Sequence, residues 1–151
     1  MKITDALRGE HGAYYGLFQQ IESLAEEVEI LAQIQNATIA LNAEILSHAK
    51  LEERLLIPAL RPHLSHDALI TAMCDEHVEM DQSLEHVEDA QTLEDAVDWI
   101  RYCVGFAREH FQKEEQILFP LADKVLGREV LEKLGQAWAE ARGVALGFLE
   151  S

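Results

Sequence analysis

The sequence predicts an all-α protein, an up-down-up-down four-helix bundle with a short additional C-terminal helix. Only 3 of its 151 residues are proline and 8 are glycine, and long stretches of Ala, Leu, Glu, Gln and Lys favour helix almost throughout. Apolar residues recur at alternating spacings of three and four, as packing in a bundle requires. Two stretches, HAKLEERLLIPAL from His48 and HFQKEEQILFPLA from His110, repeat one pattern of histidine, glutamate, leucine and proline. They indicate two related helical halves.

Five helices are expected in a single domain spanning residues 1–151, with the bundle over about 5–124. In chain order they lie near residues 5–30, 35–60, 66–90, 93–124 and 128–142. The stretch RPHLSHD supplies the second turn and DAQTLED the third, where Thr92 is the expected N-cap. The first turn is placed in or near ILAQIQ, the least marked of the three.

Each of the four main helices carries a histidine on its predicted buried line. The lines are, in order, Leu7, His11, Tyr14, Phe18, Ile21, Ala25 and Val28; Leu41, Ile45, His48, Glu52, Leu55 and Ala59; Ile70, Met73, His77, Met80, Leu84 and Val87; and Trp99, Cys103, Phe106, His110, Glu114, Ile117 and Leu121. The C-terminal helix has Leu131, Leu134, Trp138 and Ala141 at apolar spacing. For this helix, packing across the bundle is favoured over packing against another subunit. The other histidines, His63, His66 and His86, are expected to face solvent.

The spacing of the four buried histidines suggests that they lie at one level of the bundle. Two residues at the same level of neighbouring antiparallel helices are equidistant from the turn between them. The midpoint of His48 and His77 falls in the second turn, and that of His77 and His110 falls at the third. The midpoint of His11 and His48 falls a few residues before the predicted first turn. Four imidazoles are therefore expected to converge.

Two glutamates join this set on the buried lines. Glu52 is four residues after His48 and Glu114 is four after His110, so each pair shares a helix face, about 6 Å apart along the axis. An unpaired charge at such a position costs several kcal/mol, so compensation is needed. Six nitrogen and oxygen donors exceed the four of a tetrahedral zinc site, and a pair of iron or manganese ions suits them better.

The ordered pattern of His11, His48-x-x-x-Glu52, His77 and His110-x-x-x-Glu114 resembles the hemerythrin-like, or HHE cation-binding, family over residues 5–124. The resemblance implies two iron ions joined by an oxygen bridge, with manganese or zinc as possible substitutes. It implies that Glu52 and Glu114 bridge the ions and that the four histidines are terminal ligands. Oxygen-carrying hemerythrins have His-x-x-x-His on the third helix and end with His-x-x-x-x-Asp. This sequence has His77-x-x-x-Asp81 and His110-x-x-x-Glu114, so one histidine ligand is missing.

The missing histidine leaves a position for water, a second exogenous ligand or a protein oxygen. Asp81 either ligates a metal or orients a ligand imidazole, and Tyr15 is either a core residue or a phenolate ligand. The glutamates beside the proposed ligands are interpreted as surface charge, with hydrogen bonding to the imidazoles as the alternative: Glu10, Glu53, Glu76 and Glu115.

The favoured function is binding of, or reaction with, dioxygen, peroxide or nitric oxide, with reactivity or sensing preferred over reversible carriage. A peroxide- or nitric-oxide-reactive enzyme is one possibility within this class. The alternative is iron handling without turnover: repair of iron centres, iron donation or iron and oxygen sensing. A third interpretation is a metal-free helical interaction domain whose buried histidines and glutamates pair among themselves.

Charge and composition argue against some partners. The chain carries 12 Lys and Arg against 28 Asp and Glu, a formal net charge of −16, which repels nucleic acid and anionic membranes. The N-terminal stretch has no apolar run typical of a signal peptide, so a soluble cytoplasmic protein is expected. The cysteines, Cys74 and Cys103, are expected to be free, buried thiols in a reducing compartment.

Overall fold

The computed structural model describes residues 1–146, and the predicted all-α architecture is confirmed within them. Two of the long bundle helices are each interrupted by a π-helical turn, which divides them into a longer and a shorter α-helix. The elements in chain order are α1 (Ile3–Glu27), α2 (Leu31–Leu51), the first π turn (Glu52–Leu56), α3 (Ile57–Leu60), a 3-10 turn (Arg61–His63), α4 (Ala68–Asp89), α5 (Leu93–Lys113), the second π turn (Glu114–Leu118), α6 (Phe119–Val125) and α7 (Gly127–Arg142). Among these residues no helix combines the length and the apolar character needed to cross a membrane.

The first turn lies earlier than predicted. The chain leaves helix at residues 28–30, so the stretch ILAQIQ belongs almost entirely to α2. Ile30 precedes α2 with an extended backbone, φ −122° and ψ 123°, and no side chain caps the helix, which explains why this turn carried no signal. The midpoint of His11 and His48 therefore does fall in a turn. The third turn agrees with its prediction, because the Thr92 hydroxyl accepts a hydrogen bond from the Asp95 backbone N–H at 3.2 Å.

The predicted buried lines agree with the structure in α1 and α4 but fail from within each π turn onwards. Ile117, predicted to be buried, is 51% exposed, whereas Leu118 is fully buried. In the same way Leu56 replaces the half-buried Leu55. A π turn contains one residue more than an α turn, so every later residue moves one place around the helix. In α5, Trp99 lies at the surface and Ile100 takes its place in the core.

The C-terminal helix packs across the bundle, as favoured from the sequence. Leu131 and Ala139 are buried and Trp138 packs against the same core, although Ala141 is exposed. Gly135 allows this approach, because a Cβ atom there would overlap the carbonyl oxygen of Met1. Of the two free cysteines, Cys103 is buried as expected, but Cys74 is only partly buried.

We expect Gly135→Ala to lower the free energy of unfolding by about 1–3 kcal/mol, because the added methyl group must push the N-terminal backbone away from α7. The matched control is Gly105→Ala in α5, where nothing lies within 4 Å of the added methyl group and a gain of about 0.5–1 kcal/mol is expected. Denaturant unfolding measures both. Equal effects of the two substitutions would contradict the close packing of α7.

Candidate metal centre

Four histidines from α1, α2, α4 and α5 converge with the two glutamates that begin the π turns. The Nε2 atoms of His11 and His48 face each other at 3.1 Å, and the ring centres of His77 and His110 are 4.8 Å apart. Five of the six residues are between 0% and 1% exposed, whereas His77 is 7% exposed. The sequence prediction that these side chains meet at one level of the bundle agrees with this arrangement.

Glu114 stands between two pairs of imidazoles. Its Oε2 atom lies 3.1 Å from Nε2 of His11 and 3.9 Å from Nε2 of His48. Its Oε1 atom lies 3.7 Å from Nε2 of His77 and contacts Nε2 of His110. Two groups result, His11 with His48 and His77 with His110, and in each the donor atoms, including one from Glu114, lie within 4.8 Å of one another. Each group could hold a metal ion.

The two oxygens of Glu52 are likewise divided between the two pairs of imidazoles. Its Oε2 atom is 3.7 Å from Nε2 of His48, and its Oε1 atom is 3.9 Å from Nε2 of His77. Both carboxylates therefore present one oxygen to each pair of imidazoles, although the distances to Glu52 are longer than those to Glu114.

The donor atoms suit metal ions better than they suit one another. Neither oxygen of Glu52 or Glu114 makes a hydrogen bond, and the same is true of Nε2 of His77 and of His110. These atoms approach without hydrogen-bond geometry, and buried carboxylates left in that condition are costly. Imidazole nitrogens and carboxylate oxygens are the donors that iron, manganese and zinc accept, so the residues fit a pair of such cations.

The two inward carboxyl groups differ in the direction of their pKa shifts. Burial and the negative charge of Glu114 raise the pKa of Glu52 well above its ordinary value. Burial alone would also raise the pKa of Glu114, but the four surrounding imidazoles hold that pKa well below its ordinary value. A proton shared by the pair is therefore favoured on Glu52, and the negative charge is favoured on Glu114. Cations bound between them would favour ionisation of both.

Both π turns begin at these glutamates. The Ile57 backbone N–H donates to the Glu52 carbonyl, and the Phe119 N–H donates to the Glu114 carbonyl, five residues back in each case. Each π turn is followed by a proline, Pro58 or Pro120, at the second residue of the next helix. A proline ring clashes with the carbonyl four residues before it in a regular α-helix, and a wider turn relieves the clash. The repeated proline was thus the sequence signal for the π turns.

A family model of the hemerythrin HHE cation binding domain matches residues 2–122. The chain belongs to this family. Neither the curated proteins nor the solved structures contain a match to the chain. The family match includes the whole cluster of histidines and glutamates and ends before α7. The assignment of the six side chains as metal ligands stays a prediction.

Four further glutamates surround the HHE cluster, which comprises the four histidines with Glu52 and Glu114. The interpretation as surface charge was wrong for Glu10 and Glu53, which form hydrogen bonds with cluster histidines. The Nδ1 atom of every cluster histidine faces a carboxylate on a neighbouring helix. The pairs are His48 with Glu10 at 2.6 Å, His77 with Glu53 at 2.9 Å, His11 with Glu115 at 3.4 Å and His110 with Glu76 at 3.4 Å. We call these four residues the outer glutamates. The first two pairs are hydrogen bonds and the last two are longer contacts. Such carboxylates fix the orientation of an imidazole and raise its basicity.

Most outer glutamates are held by another side chain. Glu76 contacts the Lys113 ammonium at 3.0 Å, and Glu115 accepts a hydrogen bond of 2.9 Å from the Tyr15 hydroxyl. Tyr15 is therefore not a simple core residue, and burial together with this bond raises its pKa. For Glu10, burial would raise the pKa, but hydrogen bonds with His48 and Arg142 lower it to about 2.

Asp81 lines a pocket of about 170 Å³ between α2 and α4, together with His77 and Glu53. The pocket lies at the side of the cluster where the only partly exposed histidine among the six residues is found. Direct metal ligation by Asp81 and by Tyr15 both stay predictions.

We expect metal binding to release protons and to tighten as the pH rises. The raised pKa of Glu52 means that its protonated form is favoured at low pH and is lost as the pH rises through that raised value. A bound cation must displace this proton. Calorimetry of Zn²⁺ binding in buffers of different ionisation enthalpy counts the protons, and Glu52→Gln should release about one fewer. Equal proton release by both proteins would contradict the charge assignment.

Proposed function

We propose that this HHE domain is a non-haem di-iron protein that binds or reacts with dioxygen, peroxide or nitric oxide. The observation that carries the proposal is the pair of buried His-His groups that share Glu114, with Glu52 spanning the same two groups. Two iron ions held there would supply electrons to a small oxidant or accept them from a reductant. The chain itself would hold the ions and orient the imidazoles through the outer glutamates.

The number of protein donors supports a reactive site. Each pair of imidazoles faces one oxygen of each of the two carboxylates, which gives four donors per metal position. Iron commonly takes six ligands, so positions would remain for exogenous ligands at both ions. The residue four places after His77 is Asp81, where oxygen-carrying relatives have a fifth histidine. Reaction is therefore favoured over reversible carriage.

The size of the pocket beside His77 supports a small ligand. Its volume of about 170 Å³ would hold a few molecules of the size of water, each of which occupies about 30 Å³ in the liquid. A diatomic molecule or hydrogen peroxide fits such a space. Glu53 and Lys50 also line the pocket, so an entering ligand would meet groups that can accept or donate a proton.

We expect protein produced with iron to contain two iron ions per chain and to show near-ultraviolet charge-transfer absorption that reduction abolishes. Nitric oxide added to the reduced protein should change its spectrum. Glu114→Ala should lose both ions, because this residue faces both pairs of histidines. The matched control is Glu132→Ala, at a residue of α7 that pairs with Arg128 and, within the described part of the chain, makes no contact with the histidines. One ion per chain, or none, would refute the di-iron proposal.

We expect Asp81→Ala to show whether this residue ligates a metal ion or instead acts on an incoming ligand from the pocket beside His77. If Asp81 guides or protonates the ligand, the variant keeps two iron ions and its rate with peroxide or nitric oxide changes. If Asp81 is a ligand, the iron at the His77 position binds more weakly. Metal analysis and stopped-flow absorption measure the two effects, and Asp98→Ala on the surface of α5 is the control. An unchanged metal content and an unchanged rate would exclude both roles.

Iron handling without turnover is the second candidate, and one observation favours it. The His77 side of the cluster is the less enclosed one, since Glu53, which orients His77, has a side chain 42% exposed. An ion on that side could exchange with solution. Transfer of iron to a weak chelator within minutes, without turnover of peroxide, would favour handling, and retained iron with turnover would favour the first candidate.

A further inference from the structure

Helix α7 lies beyond the matched residues 2–122 and nevertheless reaches the metal centre. The Trp138 indole N–H donates a hydrogen bond of 2.9 Å to Oε1 of Glu10, and the Arg142 Nε–H donates one of 2.7 Å to the same oxygen. The other oxygen of Glu10 lies 2.6 Å from Nδ1 of His48. One carboxylate thus connects two side chains of α7 to an imidazole of the HHE cluster.

This connection is largely enclosed. The Glu10 side chain is 12% exposed and that of Arg142 is 20% exposed. The Arg142 guanidinium also contacts the hydroxyl of Ser47, the residue before His48. Charge-assisted hydrogen bonds with two anchored donors restrict the carboxylate more strongly than a single exposed partner does. We call Trp138, Arg142 and Glu10 the α7 clamp.

The opposite pair of histidines has a weaker support. Glu76 is bound by Lys113, whose side chain is 51% exposed, and both belong to bundle helices. Glu53, the partner of His77, is open to solvent, and His77 itself borders the pocket. The two halves of the cluster are similar in sequence but differ in how firmly their imidazoles are held.

We infer that the α7 clamp fixes the His48 imidazole for metal binding, so that the metal position formed by His11 and His48 releases its ion more slowly than the position formed by His77 and His110. The inference rests on the proposed pair of metal positions. Glu10, Trp138 and Arg142 are positioning residues that act through His48. Supporting carboxylates of this kind contribute roughly 10–100-fold to metal affinity. The same coupling acts in reverse, because an ion on His48 must stabilise the docking of α7 by an equal free energy.

Release of Zn²⁺ tests the inference without relying on activity. The fully loaded protein, mixed with an excess of a coloured chelator, should lose one ion quickly and one slowly. Arg142→Gln should accelerate the slow phase roughly 10–100-fold and leave the fast phase unchanged. Arg128→Gln, at an exposed position of α7, is the matched control and should change neither phase. Circular dichroism checks that both variants retain the helical fold.

The possible outcomes distinguish the clamp from the pair of metal positions. A single phase in the parent protein, or equal acceleration of both phases by Arg142→Gln, would overturn the role of the clamp. Failure to bind two Zn²⁺ ions would instead refute the pair of metal positions on which the proposed function depends. If the protein binds two ions, and Arg142→Gln accelerates the slow phase while Arg128→Gln does not, both the clamp and the pair of metal positions are supported.

Fluorescence tests the reverse coupling. The chain has two tryptophans, so Trp99→Phe leaves Trp138 as the sole tryptophan, which can be excited selectively above the tyrosine absorption. Titration with Zn²⁺ should change its emission during the first equivalent, because the more firmly held position fills first. The change should persist in His110→Ala, which removes the other position, and should be largely lost in Arg142→Gln. Emission that does not respond, or responds only to the second equivalent, would overturn the coupling.

Discussion

The burial of Glu52 and Glu114 is the constraint on which the rest of the structure depends. These carboxylates and the four imidazoles form a polar layer between two apolar clusters, one that includes Phe18 and Leu84 and one that includes Leu60 and Phe119. The carboxylate oxygens of this layer lie in the middle of the core and accept no hydrogen bond from the described residues. On the outside of this layer, the Nδ1 atom of each imidazole faces a carboxylate of a neighbouring helix. The packing of the bundle is therefore arranged around a buried layer of donor atoms that suits cations.

The π turns connect this chemistry to the fold. Each starts at an inward glutamate, and the next residue in the chain is an outer glutamate that reaches a histidine on a neighbouring helix. Consecutive residues on a helix point about 100° apart. In each Glu-Glu pair, the first side chain can therefore point into the cluster while the second reaches an imidazole from outside. The extra residue of the π turn then redirects the rest of the helix, so that Leu56 and Leu118 complete the second apolar cluster.

Much of this arrangement follows from the sequence, and the remainder has identifiable causes. The four histidines could be placed at one level because antiparallel helices impose symmetric spacing about each turn. The buried lines failed after Glu52 and Glu114 because they assumed a constant helical period, which a π turn breaks. The outer glutamates could not be told from surface charge because a single helix does not show which residues its neighbours bring close. The first turn was misplaced because Ile30 has no capping side chain.

The two halves of the bundle are similar in sequence, and the difference between them arises only in the tertiary structure. The repeated lines from His48 and His110 describe equal halves, and within the bundle each half does supply one inward and one outer glutamate from its second helix. Helix α7 adds a clamp to one half only, through Glu10, while Asp81 and the pocket adjoin the other. The imidazole of His48 is thus held through more partners, whereas that of His77 borders the pocket and solvent. A bound pair of ions would therefore have one firmly held member and one that meets incoming ligands, although the two donor sets contain the same kinds of atoms.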